Sequence, residues 1–130
     1  MTNTPNSIRT PMGKVRYLGS AKSGTRHMLH TRLTAIAMVP LSIAFVWIVL
    51  SLVGKDYATV RASLGNPLVS ITLLLFLLAG IYHMMLGMQV IIEDYVYGEH
   101  TKFWSLTANT CFAIAVGFAC AYAVLRLSFV

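Results

Sequence analysis

Three stretches of this chain carry no charge over a length sufficient to cross a membrane, and few folds can accommodate that. Leu33 to Val53 is 21 residues without a charge, Pro67 to Ile92 is 26, and Phe103 to Arg126 is uncharged until its last position. A helix needs about 20 residues to span roughly 30 Å of hydrocarbon. Lipid offers no partner to backbone N–H and C=O groups, so unbroken runs of this kind must be helical. Gly65, Asn66 and Pro67 mark the start of the second helix, with proline suited to a first turn. Polar loops at Gly54–Asn66 and Glu93–Lys102 separate the runs. The predicted fold is all-α: an integral membrane domain over residues 33–130, with three transmembrane helices near 33–53, 67–92 and 103–126, behind an N-terminal arm of residues 1–32.

Composition agrees. Only 11% of the 130 residues are charged and 57% are apolar, where a soluble domain carries about a quarter charged. Two cysteines exclude a disulfide scaffold. Three helices bury little against one another, so the chain is expected to pack against partner subunits.

The net charge of +6 would suggest nucleic acid in a soluble protein, but its placement points elsewhere. Arg9, Lys14, Arg16, Lys22, Arg26 and Arg32 lie in the first 32 residues, which contain no acid. A basic flank directly before an apolar span marks the cytoplasmic side and favours anionic headgroups. No aromatic-rich basic motif accompanies these charges, so nucleic acid is not an expected partner. Counting Lys102 with the arm puts seven cations on one side of the membrane against three (Lys55, Arg61, Arg126) on the other. The N-terminus is therefore expected in the cytoplasm and the C-terminus outside. The first span starts too late and runs too long for a cleaved signal peptide, and no small-residue cleavage site follows it. Residues 1–25 are basic and free of acid, as a transit peptide would be. They lack an amphipathic period, and their prolines and glycines argue against a long helix.

The informative residues are the polar ones placed in apolar surroundings. His83 lies sixteen positions into the second run, about 24 Å along a helix. An ionisable group at that depth marks a functional site by default. It can be a neutral histidine bonded to a neighbouring helix, or an axial ligand of haem iron. Gly80 and Gly87 flank it on the same side of the helix, where they can admit a flat macrocycle or simply let two helices approach. Without a C-x-x-C-H motif any haem would be b-type, and a second axial ligand would come from another chain.

Glu93, Asp94 and Tyr95 follow at the end of the same helix. Asp94 is about 20° off the face of His83, and Tyr95 lies roughly 18 Å away and about 120° around. A rim tyrosine can be an interfacial anchor. Beside an acid it can also donate to a quinone carbonyl while the carboxylate relays a proton. Arg32 stands where the chain enters lipid; its guanidinium suits a propionate carboxylate, or it snorkels to the headgroups. His27 and His30 are interfacial and can meet a propionate. Met84, Met85 and Met88 read as packing, and Cys111 and Cys120 as small apolar residues.

Taken together, these residues resemble a known family. His83, ten further residues and then Asp94-Tyr95 is similar to the H-x10-D-Y pattern of the small hydrophobic membrane anchor of succinate dehydrogenase, complex II. Arg32-Leu-Thr-Ala-Ile and the segment from Arg9 to Arg16 are similar to alphaproteobacterial members. Tyr97-Gly98 departs from several relatives, which have a histidine there. The resemblance implies a b-type haem shared with a second three-helix anchor subunit, a cytochrome b, with His83 as one axial ligand. It further implies Tyr95 bonded to a ubiquinone carbonyl with Asp94 alongside, and Arg32 at a haem propionate. His27 matches a propionate contact less closely, because its spacing to the arginine varies within the family. An iron–sulfur subunit and a flavoprotein subunit would dock on the cytoplasmic face of the bacterial inner membrane, serving respiration and the tricarboxylic acid cycle. With no dinucleotide fingerprint and no cysteine cluster, this chain would not oxidise succinate alone. The alternatives are a haem-free structural or transport subunit and the anchor of a quinol:fumarate reductase.

Overall fold

The computed structural model describes residues 24–129, and within them four helices: α1 (Gly24–Leu52), α2 (Tyr57–Leu64), α3 (Pro67–Tyr95) and α4 (Glu99–Phe129). The basic segment from Arg9 to Arg16 lies outside the described residues. So does Lys22. α1, α3 and α4 are each long and apolar enough to cross a membrane, in agreement with the three expected spans. Each runs past its apolar stretch. α1 begins nine residues before Leu33, α3 continues three beyond Ile92, and α4 starts four before Phe103. Loss of hydrophobicity does not end a helix; a cap or a breaker does.

α2 occupies what reads in sequence as a polar loop. Gly54 makes the turn out of α1 at φ +76, a conformation in which any side chain would be strained. Asp56 then takes an extended N-cap conformation, and its carbonyl accepts the first helical bond, from the Val60 amide at 3.0 Å. Its carboxylate accepts from the Thr59 hydroxyl, which holds the Asp56 carboxyl below its ordinary value. At the other end Asn66 caps α3, accepting from the Leu68 amide at 2.9 Å, and Pro67 opens that helix. The buried Ser70 hydroxyl donates to the Leu64 carbonyl at 2.6 Å and ties α2 to α3.

α3 is the middle helix and packs against both α1 and α4. Its contact with α1 is antiparallel. Phe45 stacks on Phe76 with ring centroids 4.5 Å apart, Met38 lies over Gly80, and Thr34 reaches His83. Toward α4, the Asn109 amide donates to the Met85 carbonyl at 3.0 Å. Polar bonds between membrane helices contribute about 0.6 kcal/mol on average and up to about 1.7. Asn109→Ala is therefore expected to lower the stability of the detergent-solubilised protein by that amount, read as a leftward shift of its denaturation curve.

Little of the chain is inside. Only Leu86, Ile92, Ala113 and Ser70 are buried among the described residues, while Trp47 and Phe118 are about three-quarters exposed. Apolar side chains all round a helix are what a lipid or partner-helix environment selects. The chain is a multi-pass membrane protein.

Candidate functional site

Three- and four-residue steps along α1 place His27, Thr31, Thr34 and Met38 on one stripe, and this stripe faces α3. Midway along α3, His83 is half-buried against it. The Nδ1 atom of His83 lies 2.9 Å from the Thr34 hydroxyl oxygen. That hydroxyl is also within reach of two backbone carbonyls of its own helix, His30 at 2.8 Å and Thr31 at 3.0 Å. One position earlier on α3, the Tyr82 hydroxyl meets His30 Nδ1 at 2.6 Å. The polar side chains of both spans thus satisfy one another across the α1–α3 contact, as groups removed from water must.

Ring nitrogens of His27, His30 and His83 remain without a partner among the described residues. His83 Nε2 has no partner among the described residues and is not sealed from its surroundings. His27 Nε2 is buried without a hydrogen-bond partner among the described residues. Such an atom requires a polar group that the described residues do not supply.

The glycines beside His83 have separate roles. A Cβ at Gly80 would sit 3.5 Å from the Met38 methyl, so Gly80 serves the α1–α3 approach. A Cβ at Gly87 would meet nothing within 4 Å. The open space on the His83 face is therefore at Gly87 and not at Gly80.

The remaining sequence-selected residues are spread out. Arg32 is exposed and stands two positions from Thr34, about 200° around α1 from the face that meets α3. It is also about 140° from His27, so the two do not converge on one point. Asp94 and Tyr95 are exposed at the end of α3, with Tyr95 at 75%. Their neighbour Glu93 is engaged on both its groups. Its carboxylate accepts from Gln89 at 2.8 Å and its carbonyl from the Lys102 ammonium at 2.7 Å. Asp94 is thus the acid of α3 with no partner among the described residues.

No cluster of three or more His, Cys, Asp or Glu side chains able to hold a metal forms among the described residues, so His83 would offer one ligand and no more. Met84 and Met88 are exposed, and Cys111 and Cys120 are free thiols. Sequence reasoning missed Thr34 and Tyr82 as partners of the two histidines. The usable signal was the helical spacing of His27, His30 and Thr34.

Residues 6–124 match the family described as succinate dehydrogenase/fumarate reductase transmembrane subunit. A succinate dehydrogenase hydrophobic membrane anchor subunit from Rickettsia bellii is 39% identical over 89 residues, covering 68% of this chain and 71% of its own length. The protein of that name from Paracoccus denitrificans is 30% identical over 118 residues, 91% of each chain. A succinate dehydrogenase membrane anchor subunit from Reclinomonas americana is 30% identical over 106 residues, 79% of this chain and 88% of its own. No solved structure matches. A match over nearly the whole length, on a chain with three membrane helices and a histidine midway along the second span, places this protein in the succinate dehydrogenase/fumarate reductase transmembrane subunit family.

Proposed function

We propose that the chain is the hydrophobic membrane anchor of a bacterial succinate:ubiquinone oxidoreductase. In this reading it shares a b-type haem with a second three-helix anchor subunit and contributes to the ubiquinone site. It works as part of that enzyme and does not oxidise succinate by itself. The relatives bear the succinate dehydrogenase name, which favours this direction over quinol:fumarate reduction.

The observation that carries the haem reading is His83. One ring nitrogen is bonded within the chain and the other is left without a partner among the described residues, on a helix face where Gly87 leaves open space. A metal-bound histidine usually has this division of labour between its two nitrogens. The residues fit the group: His83 would hold the iron, and the unpartnered His27 Nε2 and the Arg32 guanidinium are the groups with chemistry suited to propionates. Arg32 would reach one only by extending around α1, and otherwise it meets the headgroups. Bound haem supplies a one-electron carrier within the membrane.

At the other end of α3 the Tyr95 hydroxyl donates a hydrogen bond to a carbonyl oxygen of ubiquinone. Asp94, exposed and without a partner among the described residues, takes protons from water and passes them on. Two electrons arriving from an iron–sulfur subunit and two protons convert the quinone to quinol. The flavoprotein and iron–sulfur subunits dock on this face, which is cytoplasmic if the basic N-terminal arm lies inside. Lys102 bonded to Glu93 keeps the α3–α4 connection closed beside it.

The assignment is tested by purifying the complex from its own membrane through a tag on this chain. Flavin and b-type haem are expected in equal amounts, together with succinate-dependent quinone reduction. A preparation containing neither flavin nor haem would contradict the assignment.

A further inference from the structure

The Thr34 hydroxyl has one proton and three neighbours. Two of these, the His30 and Thr31 carbonyls at 2.8 and 3.0 Å, can only accept. The third is His83 Nδ1 at 2.9 Å. A helical threonine directs its proton back to the carbonyl three or four residues earlier, so its oxygen meets the imidazole with a lone pair. His83 Nδ1 must then carry the hydrogen, and Nε2 is left bare. The threonine is itself held in place by the packing of Met38 on Gly80 and of Phe45 on Phe76, which fixes the register of α1 against α3.

We infer that Thr34 is a positioning residue for His83. Through one hydrogen bond it sets the tautomer and rotation of the ring and presents an unprotonated Nε2 to iron. This inference rests on the reading of His83 as a haem ligand. The same bond acts on the ligand's strength. Drawing on the Nδ1 hydrogen makes the ring a stronger electron donor through Nε2, and a stronger donor favours ferric over ferrous iron. Thr34 thus lowers the potential of the haem, though it never touches the group.

The test uses the intact complex with Thr34→Val, Thr34→Ser and His83→Ala. Valine keeps the shape and removes the acceptor; serine keeps the acceptor and removes the methyl. In T34V the haem is expected to remain, with a three- to tenfold shift toward the ferrous form. At about 59 mV per tenfold for a one-electron couple, that moves the midpoint potential up by about 30–60 mV. The low-spin ferric signals in electron paramagnetic resonance should broaden or move as the ring loses its fixed rotation. T34S should restore both readouts. Unchanged potential and signals in T34V, alongside haem loss in H83A, would overturn the inference and leave the haem reading intact. Retention of haem in H83A would overturn the haem reading and this inference with it. A T34S complex whose potential moves as far as that of T34V would show that the methyl group acts, and would also overturn it.

Discussion

Replacement of His83 by alanine is expected to strip the b-type haem from the complex. With no C-x-x-C-H motif in the sequence, nothing covalent retains the group, and axial ligation with packing must hold it. Losing an outer-shell partner of a metal ligand already lowers affinity by about 10- to 100-fold, and losing the ligand itself should cost at least as much. The helix should survive, since alanine is the best helix former and the vacated partner, Thr34, keeps its bonds to the His30 and Thr31 carbonyls. The measurement is the reduced-minus-oxidised optical spectrum, normalised to flavin. Loss of the Soret and α bands with flavin retained is the expected result. Bands of wild-type height would remove His83 from the iron.

Tyr95→Phe is expected to produce the second large effect, and one of a different kind. The ring is 75% exposed at the end of α3 and its hydroxyl bonds to no described residue, so removing that oxygen should change stability by less than about 0.5 kcal/mol. Its proposed role is to donate to the quinone oxygen on which charge develops. Removing such a donor from a sheltered site lowers turnover by about 10²- to 10³-fold. At a water-exposed rim a loss of about 10- to 100-fold is expected. Succinate-dependent quinone reduction should fall by that factor. Haem content and succinate oxidation with a water-soluble acceptor should stay unchanged. A wild-type quinone rate would exclude the Tyr95 hydroxyl from the reaction.

The three spans were legible because lipid imposes a length and forbids charge, and both can be counted along a chain. Their ends were less so. α1 continues through His27, His30 and Arg32, residues that polarity alone assigns to an arm. α2 was invisible to a count of apolar residues; its only signal is Asp56 ahead of Thr59, a cap that looks like any polar loop.

At the site, His83 stood out because an ionisable group deep in an apolar run has few explanations. Thr34 did not, since a threonine in a membrane helix satisfies itself on its own backbone and becomes a partner only through the register of α1 on α3. Gly80 and Gly87 looked alike from spacing. Only the position of Met38 separates a helix contact from an open surface. Asp94 and Glu93 are equally acidic in sequence, and it takes the bond from Gln89 to the Glu93 carboxylate to leave Asp94 as the acid unengaged among the described residues.

The proposal that this chain grips haem iron through the outward nitrogen of His83 is tested most directly by a density map of the purified four-subunit complex. A porphyrin is expected on the Gly87 face of this helix, with its iron at coordination distance from His83 Nε2 and Thr34 bonded to the opposite ring nitrogen. A map with no porphyrin on this face, or with the iron held by another side chain of this protein, would contradict it.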